Sequence, residues 1–392
     1  MSADPAAPGR GERPTDPGPP GDSEAPGERP TDPGRAAEPV VPEAASRRLH
    51  ELDLLRIGAA VAVVVFHYTF SGWMQGHSPA RFPGLGEVSR YGYLGVDLFF
   101  VISGFVVLLS AWGRPARAFV VSRIVRLYPA FWVAVTLTAL VSVASGRFRV
   151  GFGQYLANLT MLNPVVGVAN IDVVYWTLWA ELRFYLLVLA LALIGLTRRR
   201  VLLALWAWLA VTAASQLGML PGFVDLLGQS TFAHYFVAGM ALGVVYRHGL
   251  TWELGAILAL CWGNALYRGV GFAAGVADRY RTGFSPVVVC AVITAIFVVM
   301  ILVALRRTAG LGRPWMAVAG ALTYPLYLVH AHVGFVVLAG LGAAVNRYVL
   351  VVGLMAVMGV LAWGIHVGVE RPVAPRLRRV LRSVARAPGR AG

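Results

Sequence analysis

Lysine is absent from this sequence of 392 residues, so all 34 of its basic side chains are arginines. Charged residues of both signs are also scarce, at 14% of the chain, whereas globular domains carry about 25%. Hydrophobic residues make up 57%, and long apolar runs recur from Leu54 to Val369. A soluble core cannot bury that much apolar sequence, which excludes an ordinary soluble protein. The composition predicts one membrane domain that fills most of the chain.

Cysteine is nearly absent too, since the sequence contains only Cys261 and Cys290. Both lie inside apolar segments, which favours packing roles over a disulfide or a pair of metal ligands. The C-x-x-C and H-E-x-x-H spacings of metal sites are also missing, so we expect no metal. No serine lies in a nucleophile elbow, which argues against a serine-hydrolase triad.

The net charge of +15 comes from an excess of arginine, a composition that can indicate nucleic-acid binding in a soluble protein. Residues 1–50 contribute −3, so the membrane body carries +18. In a membrane protein such charge usually lies in cytoplasmic loops that face anionic lipid. We therefore expect the lipid bilayer as a partner and no nucleic acid.

Residues 1–47 are rich in Pro, Gly, Glu, Asp and Arg, and the stretch GERPTDPG occurs in them twice. Such a segment cannot bury apolar surface, so we expect a disordered cytoplasmic tail. It lacks the apolar stretch of a signal peptide. The membrane domain is then expected over residues 48–372, followed by a basic cytoplasmic tail over 373–392.

The apolar runs predict an all-α polytopic membrane protein with ten transmembrane helices of about 20 residues each. A short interfacial helix is expected over residues 154–166. With the N-terminus inside, the cytoplasmic connections and C-terminal tail hold twenty arginines and the opposite side holds eight. The positive-inside rule therefore places both termini in the cytoplasm. The expected spans are 54–74, 93–113, 118–145, 173–196, 201–220, 229–247, 252–270, 284–305, 315–341 and 347–369.

Arg56 and His67 are ionisable residues inside the first apolar segment, where charge is costly and therefore often functional. Their eleven-residue separation places them on one helix face, about 16 Å apart along the axis. The alternatives are that Arg56 snorkels to the headgroups and that His67 makes an interhelical hydrogen bond. Their shared face favours a joint functional role over two independent structural roles.

Other polar residues inside the apolar segments have similar alternatives. For Asp97 the alternatives are a helix cap, a partner for an arginine and a site residue, and for Glu181 they are half of an ion pair and a site residue. Arg123 and Arg126 share a helix face, and the alternatives for them are a topology anchor and a phosphate clamp. Tyr327 and His330 also share a face, and interhelical hydrogen bonding is their alternative. His234 and His366 lie in no recognisable motif and are interpreted as structural.

Depth along the predicted helices separates two groups of these residues. Arg56, Arg123 and Arg126 gather toward the cytoplasm. The second group, at or beyond the midplane, consists of His67, Glu181, Tyr327 and His330. A basic cytoplasmic entrance would thus lead to an acid/base cluster within the membrane, suited to an anionic donor and to proton transfer.

Six ordered stretches of the sequence resemble the acyltransferase-3 family of integral-membrane O-acyltransferases, over about residues 49–372. Thr323 stands where that family usually has Ser. The stretches are Arg56 with His67, Gly95–Phe105, Arg123-Ile-Val-Arg126 followed by Leu-Tyr-Pro, Trp176-Thr-Leu with Glu181-Leu-Arg-Phe-Tyr185, Tyr324-Pro-Leu-Tyr-Leu-Val-His330, and Glu370-Arg-Pro372.

The resemblance implies transfer of an acyl group, often acetyl, from cytoplasmic acyl-CoA to a hydroxyl. Acceptors in the family include sugars of surface polysaccharides, peptidoglycan or glycolipids, and secondary metabolites such as macrolides. It implies no cofactor, acyl-CoA as a co-substrate, and a place in the cytoplasmic membrane. The chain ends about twenty residues after the tenth predicted helix, so we expect a stand-alone member without a fused domain.

The chemistry requires a bound thioester, a deprotonated acceptor hydroxyl and stabilisation of an oxyanion. His67 is the expected base, with Glu181 orienting its imidazolium and Tyr327 or Arg56 facing the oxyanion. Relay through an acyl-histidine is the alternative mechanism. Arg123 and Arg126 would bind the phosphates of CoA. The expected substrate-binding residues are Arg123, Arg126, Asp97, Tyr327 and His330.

A multi-pass transporter or flippase without acyl-transfer chemistry is the main alternative function, because buried His, Glu and Arg side chains suit it as well. The sequence shows no internal inverted repeat, a common feature of transporters. A non-catalytic scaffold would leave the acid/base cluster without a role. The sequence leaves open the acceptor, the acyl chain length and the oligomeric state.

Overall fold

The computed structural model describes residues 49–384, which are largely helical with no β-strand among them. This confirms the predicted all-α class. The tail predicted over residues 1–47 and the final residues 385–392 lie outside the described residues. The longer helices, in chain order, are α1 (His50–Met74), α2 (Pro83–Ala111), α3 (Ala116–Ser145), α4 (Phe152–Leu159), α5 (Val173–Ile194), α6 (Arg198–Gln216), α7 (Gly222–Gly228), α8 (Ala233–His248), α9 (Trp252–Tyr280), α10 (Pro286–Ala304), α11 (Pro314–Leu341), α12 (Arg347–Ile365) and α13 (Arg371–Val384).

All ten segments predicted to cross the membrane coincide with helices, and α4 overlaps the first half of the predicted interfacial helix. Seven described stretches are long and apolar enough to cross a membrane, namely α1, α2, α3, α5, α10, α11 and the continuous run from α12 into α13. The chain is therefore a multi-pass membrane protein. Ten crossings and cytoplasmic termini stay predictions.

Local signals in the sequence set several helix ends. Pro286 and Pro314 occupy the first turns of α10 and α11, where a missing backbone N–H costs little. The side chains of Thr197 and Asn346 accept hydrogen bonds from the first-turn amides of α6 and α12. α3 ends at Gly146, whose φ of 65° is left-handed.

Glycines set the spacing between α2 and its neighbours. A Cβ at Gly92 or Gly95 would overlap the backbone of α1, and one at Gly104 would overlap the backbone of α8. The contact between α2 and α8 is equally close from the α8 side, because a Cβ at Gly239 would overlap the carbonyl of Val101. Small residues at these points allow backbone-to-backbone packing.

The remaining helices are arranged around these contacts. α1 packs against α11 as well as α2, and α11 also packs against α3 and α12. On the far side of α2, α8 packs against α9, and α9 packs against α10. Cavities lie beside the α1–α11 contact and between α2, α8 and α9.

Two helices contain a π-helical turn, a rare local structure that often lies at functional sites. In α1 the turn spans His67–Ser71, directly after the α-helical part ends at Phe66. The second spans His366–Glu370 and joins α12 to α13. His67 is therefore the first residue of a local irregularity, which the apolar pattern of the sequence does not reveal.

Candidate active site

His67 and His330 form a buried pair at the contact between α1 and α11, with exposed fractions of 8% and 0%. Nε2 of His330 lies 3.0 Å from Nδ1 of His67. The same Nδ1 lies 3.0 Å from the carbonyl oxygen of Val63, and Nδ1 of His330 lies 2.8 Å from the carbonyl oxygen of Tyr327. The two histidines expected in one cluster are thus in direct contact.

These contacts fix the tautomers of the neutral pair, because a carbonyl oxygen only accepts hydrogen bonds. His330 must carry its proton on Nδ1 to donate to Tyr327, which leaves its Nε2 as an acceptor. His67 then faces two acceptors from Nδ1 and must carry its proton there. Its Nε2 keeps a free lone pair, the state that a general base or nucleophile needs.

Tyr68 supports the pair from the next position in the π-helical turn. Its hydroxyl donates to the carbonyl oxygen of His330 at 2.8 Å, and its side chain is fully buried. Gly334 makes room for the ring, because a Cβ there would overlap it. The position of α11 relative to α1 is therefore fixed beside the two imidazoles.

A cavity of about 140 Å³, called here the arginine cavity, lies between α1, α2, α3, α5 and α11. Arg56, Arg123 and Arg126 all line it, so the structure brings together the three arginines that the sequence grouped. The Arg126 side chain is 44% exposed. The other polar side chains in its wall belong to Ser103, Thr177, Glu181, Tyr185, Thr323, Tyr324 and Tyr327.

Glu181 lines this cavity and makes no hydrogen bond to His67 among the described residues, so its expected role toward the imidazolium stays a prediction. Its Oε1 accepts a hydrogen bond from Ser103 at 2.7 Å and another from the Tyr185 hydroxyl. The residue of α5 that contacts Tyr327 is Thr177, one turn earlier, with its Oγ1 3.1 Å from the Tyr327 hydroxyl. Depth along a helix did not determine which neighbours Glu181 faces.

Two acidic residues that the sequence analysis did not select accompany the arginines. Glu370 in the second π-helical turn lies 3.5 Å from Arg126 and 2.6 Å from Nδ1 of His366. Asp53, one turn before Arg56, lies 3.9 Å from it. Glu370 belongs to a stretch that resembles the family, but His366 was interpreted as structural. Spacing along α1 would have revealed Asp53.

His67 lines a second cavity of about 120 Å³, the histidine cavity. Tyr327 and Val96 line both this cavity and the arginine cavity, so the two meet at the Tyr327 side chain. Tyr327 is thus placed between the arginines and the candidate base. The structure brings Arg56 and His67 to neighbouring cavities along one face of α1, as their spacing predicted.

A third cavity, of about 1010 Å³, lies between α2, α8 and α9 and is called the large cavity. It shares Asp97 and Arg279, among others, with the histidine cavity. Oδ2 of Asp97 accepts a hydrogen bond from the Tyr235 hydroxyl at 2.9 Å. Asp97, expected at a substrate site, therefore lies outside the arginine cavity and lines the other two cavities. Residues 49–384 contain no group of three His, Cys, Asp or Glu placed to hold a metal ion.

Comparison with known proteins gives a consistent result. The family model described as an acyltransferase domain matches residues 49–367. Nodulation protein 10 of Rhizobium leguminosarum bv. viciae is 25% identical over 74% of this chain and 83% of its own length. No solved structure matches the chain significantly.

Two further relatives match shorter regions. The peptidoglycan O-acetyltransferase OatA of Listeria monocytogenes is 32% identical over 24% of this chain and 13% of its own length. The putative membrane-bound transacylase BcsY of Komagataeibacter xylinus is 31% identical over 39% of this chain and 40% of its own. The match of the family model over most of the chain shows that the protein belongs to the acyltransferase-3 family and is a multi-pass membrane O-acyltransferase.

Proposed function

We propose that the enzyme transfers an acyl group, expected to be acetyl, from cytoplasmic acyl-CoA to a hydroxyl of a cell-envelope carbohydrate or of a secondary metabolite. The observation that carries the proposal is the His67–His330 pair, which leaves Nε2 of His67 without a proton. His67 lines a cavity that adjoins a second one lined by three arginines. The relative OatA is a peptidoglycan O-acetyltransferase, which supports acetyl as the group transferred. The excess of arginine in the predicted cytoplasmic connections supports the cytoplasmic membrane and a cytoplasmic donor.

The size of the arginine cavity indicates which part of the donor it takes. A volume of about 140 Å³ suits the acyl-thioester and the end of the pantetheine arm. The nucleotide and its phosphates would stay at the entrance, where the exposed Arg126 and its neighbour Arg123 lie. Guanidinium groups match phosphate oxygens through paired N–H donors. Glu370, 3.5 Å from Arg126, helps to orient that side chain.

In the proposed reaction, Nε2 of His67 takes the proton of the acceptor hydroxyl while its oxygen attacks the thioester carbonyl. The C–S bond then breaks, the acyl group stays on the acceptor oxygen, and the proton passes to the sulfur to give free CoA. His330 holds His67 in the tautomer that leaves Nε2 free. Tyr327, where the two cavities meet, is placed to donate to the oxyanion.

Purified full-length protein in nanodiscs tests this proposal directly. With acetyl-CoA and a panel of sugars and macrolides, we expect acceptor-dependent release of the CoA thiol and an acetylated product by mass spectrometry. The His67→Gln variant is the negative control. If the wild type releases CoA no faster than this variant with every acceptor, the proposal fails. If the enzyme releases one CoA per enzyme molecule in a burst without acceptor, the mechanism is an acyl-histidine relay and His67 is not a direct base.

A further inference from the structure

The large cavity has no assigned role in the steps above, although it adjoins the histidine cavity. Its wall on α9 contains Gly271 and Gly275, where an added Cβ would meet no atom within 4 Å. Leu or Phe at these positions would occupy the space. A volume of about 1010 Å³ is at the upper end of the range for pockets that bind small molecules.

Buried polar groups in the wall of this cavity lack protein partners. His234 is fully buried and lines the cavity, yet neither of its ring nitrogens makes a hydrogen bond within the described part of the chain. The hydroxyl of Tyr93, also in the wall, lacks a partner in the same way. Such groups are rare in folded proteins, because polar atoms removed from water are normally hydrogen-bonded. These atoms have almost no accessible surface, so a ligand with several hydroxyls would reach them only after a small movement of the side chains in the wall.

The charge in the cavity wall is positive. Arg268 and Arg279 line it, and neither has an ion-pair partner within residues 49–384. Arg268 makes only a long contact of 3.4 Å to Thr231. The one acidic residue in the wall, Asp97, already accepts a hydrogen bond from Tyr235. Two guanidinium groups without carboxylates favour a ligand that carries a phosphate or a carboxylate.

We propose that the large cavity binds the acceptor, and that the acceptor is a hydroxyl-rich molecule bearing an anionic group, as in a sugar phosphate or an acidic sugar. This inference rests on the proposed acyl transfer. The anionic group lies at Arg268, beside Thr231, and the hydroxyls extend along the wall toward His234 and Tyr93. Arg279, about 16 Å further along α9, lies at the end of the cavity that adjoins the histidine cavity. Because Asp97 and Arg279 line both cavities, one hydroxyl of the same molecule extends toward Nε2 of His67.

A binding measurement without acyl-CoA tests the site independently of turnover. The probes are glucose and glucose 1-phosphate, which differ only in the phosphate, titrated by calorimetry into the full-length protein in nanodiscs. We expect glucose 1-phosphate to bind at least about tenfold more tightly, Arg268→Gln to weaken it by about tenfold, and Arg279→Gln, at the far end of the cavity, to weaken it less. Arg281→Gln, close in the chain but outside the cavity wall, should bind like the wild type. Equal affinity for the two probes would overturn the proposal.

Filling the cavity provides a second test that does not depend on charge. Gly275→Leu should abolish binding of glucose 1-phosphate while the protein stays folded, because the added atoms enter open space. Gly263→Leu, on the same helix and equally unhindered but outside the wall, is the matched control. Unchanged binding in Gly275→Leu would overturn the assignment of this cavity.

Turnover separates the failure of this inference from the failure of the proposed function. If no acceptor supports CoA release, the acyl-transfer mechanism is wrong, and the binding data still decide whether the cavity takes an anionic sugar. If CoA is released equally with neutral and anionic sugars, the mechanism stands and the inference fails. Comparing glucose 1-phosphate with a polyprenyl-linked glucose phosphate distinguishes a soluble acceptor from a lipid-linked one.

Discussion

The arginine cavity and the large cavity are both lined by arginines, but they differ in volume and in whether those arginines have acidic partners. In the arginine cavity, Arg56 and Arg126 each have an acidic side chain within 4.0 Å, and the volume is about 140 Å³. In the large cavity, Arg268 and Arg279 have no such partner among the described residues, and the volume is about 1010 Å³. Acidic partners orient side chains for one defined ligand, whereas unpaired arginines in a wide space suit a larger and more variable one. The comparison supports a constant donor on one side of His67 and a specific acceptor on the other.

The largest expected effect is at His67, which lies between the two regions. His67→Gln removes the basic Nε2 while keeping a polar side chain, so turnover should fall about 10²–10⁴-fold. The rate of CoA release with saturating acceptor measures this. His248→Gln, at the end of α8 and outside all three cavities, is the control. If His67→Gln kept more than about a tenth of the wild-type rate, the base would lie elsewhere.

A smaller loss is expected at His330, which acts through His67. His330→Ala should lower kcat about 10–100-fold with little change in the KM of either substrate, because His67 loses one of the two acceptors that hold its proton on Nδ1. Gln can place an oxygen near the position of Nε2, so His330→Gln should restore part of the rate. If the role of His330 were purely structural, the activity of the variants would follow their thermal stability and would not depend on whether Ala or Gln replaces the histidine.

The packing of α2, which contributes to the walls of both cavities, can be tested at Gly239. Gly239→Ala would push a methyl group into the carbonyl of Val101 and should destabilise the protein by about 1–3 kcal/mol. Thermal unfolding in detergent measures the change. Gly353→Ala on α12 has open space around it and should cause no loss. An equal effect in both variants would mean that the α2–α8 contact is less close than described.

The smallest expected effect separates the two groups of arginines. Arg123→Ala and Arg126→Ala should each raise the KM for acyl-CoA about three- to tenfold and leave the KM for the acceptor unchanged. The variants of Arg268 should do the reverse. Arg114→Ala, exposed just before α3, is the control. If neither donor KM changed, these two arginines would serve only as topology anchors.

The sequence was sufficient to predict the helices, because apolar runs of this length have few other structures. It also predicted which arginines converge, since Arg123 and Arg126 share a face and lie near the predicted depth of Arg56. It did not predict the place of Glu181, because depth along a helix says nothing about how that helix is rotated. That rotation depends on packing between distant segments, such as the glycine contacts of α2 with α1 and α8.

The large cavity shows a second kind of limit. Arg268 and Arg279 were counted in the sequence only as charges in outer connections, because α9 was expected to end at residue 270. The helix continues to Tyr280 and brings Arg279 into the same wall as Arg268. His234 was interpreted as structural because it belongs to no motif, and only its missing partners distinguish it. Helix length and unsatisfied polar atoms are properties of the folded chain.

The π-helical turn at His67–Ser71 has a consequence for mutations that change the length of the chain. Such a turn holds one residue more than an α-helix of the same rise, as though an insertion had been absorbed. Deleting one residue inside the turn would therefore allow α1 to continue as a regular α-helix, with the residues on either side of the turn nearly in their present register. Ser71 would keep its contact with the hydroxyl of Tyr280 on α9, and Arg56 would keep its shared face with His67. Such a deletion would remove the widened turn itself and little else, which no substitution of a side chain would do.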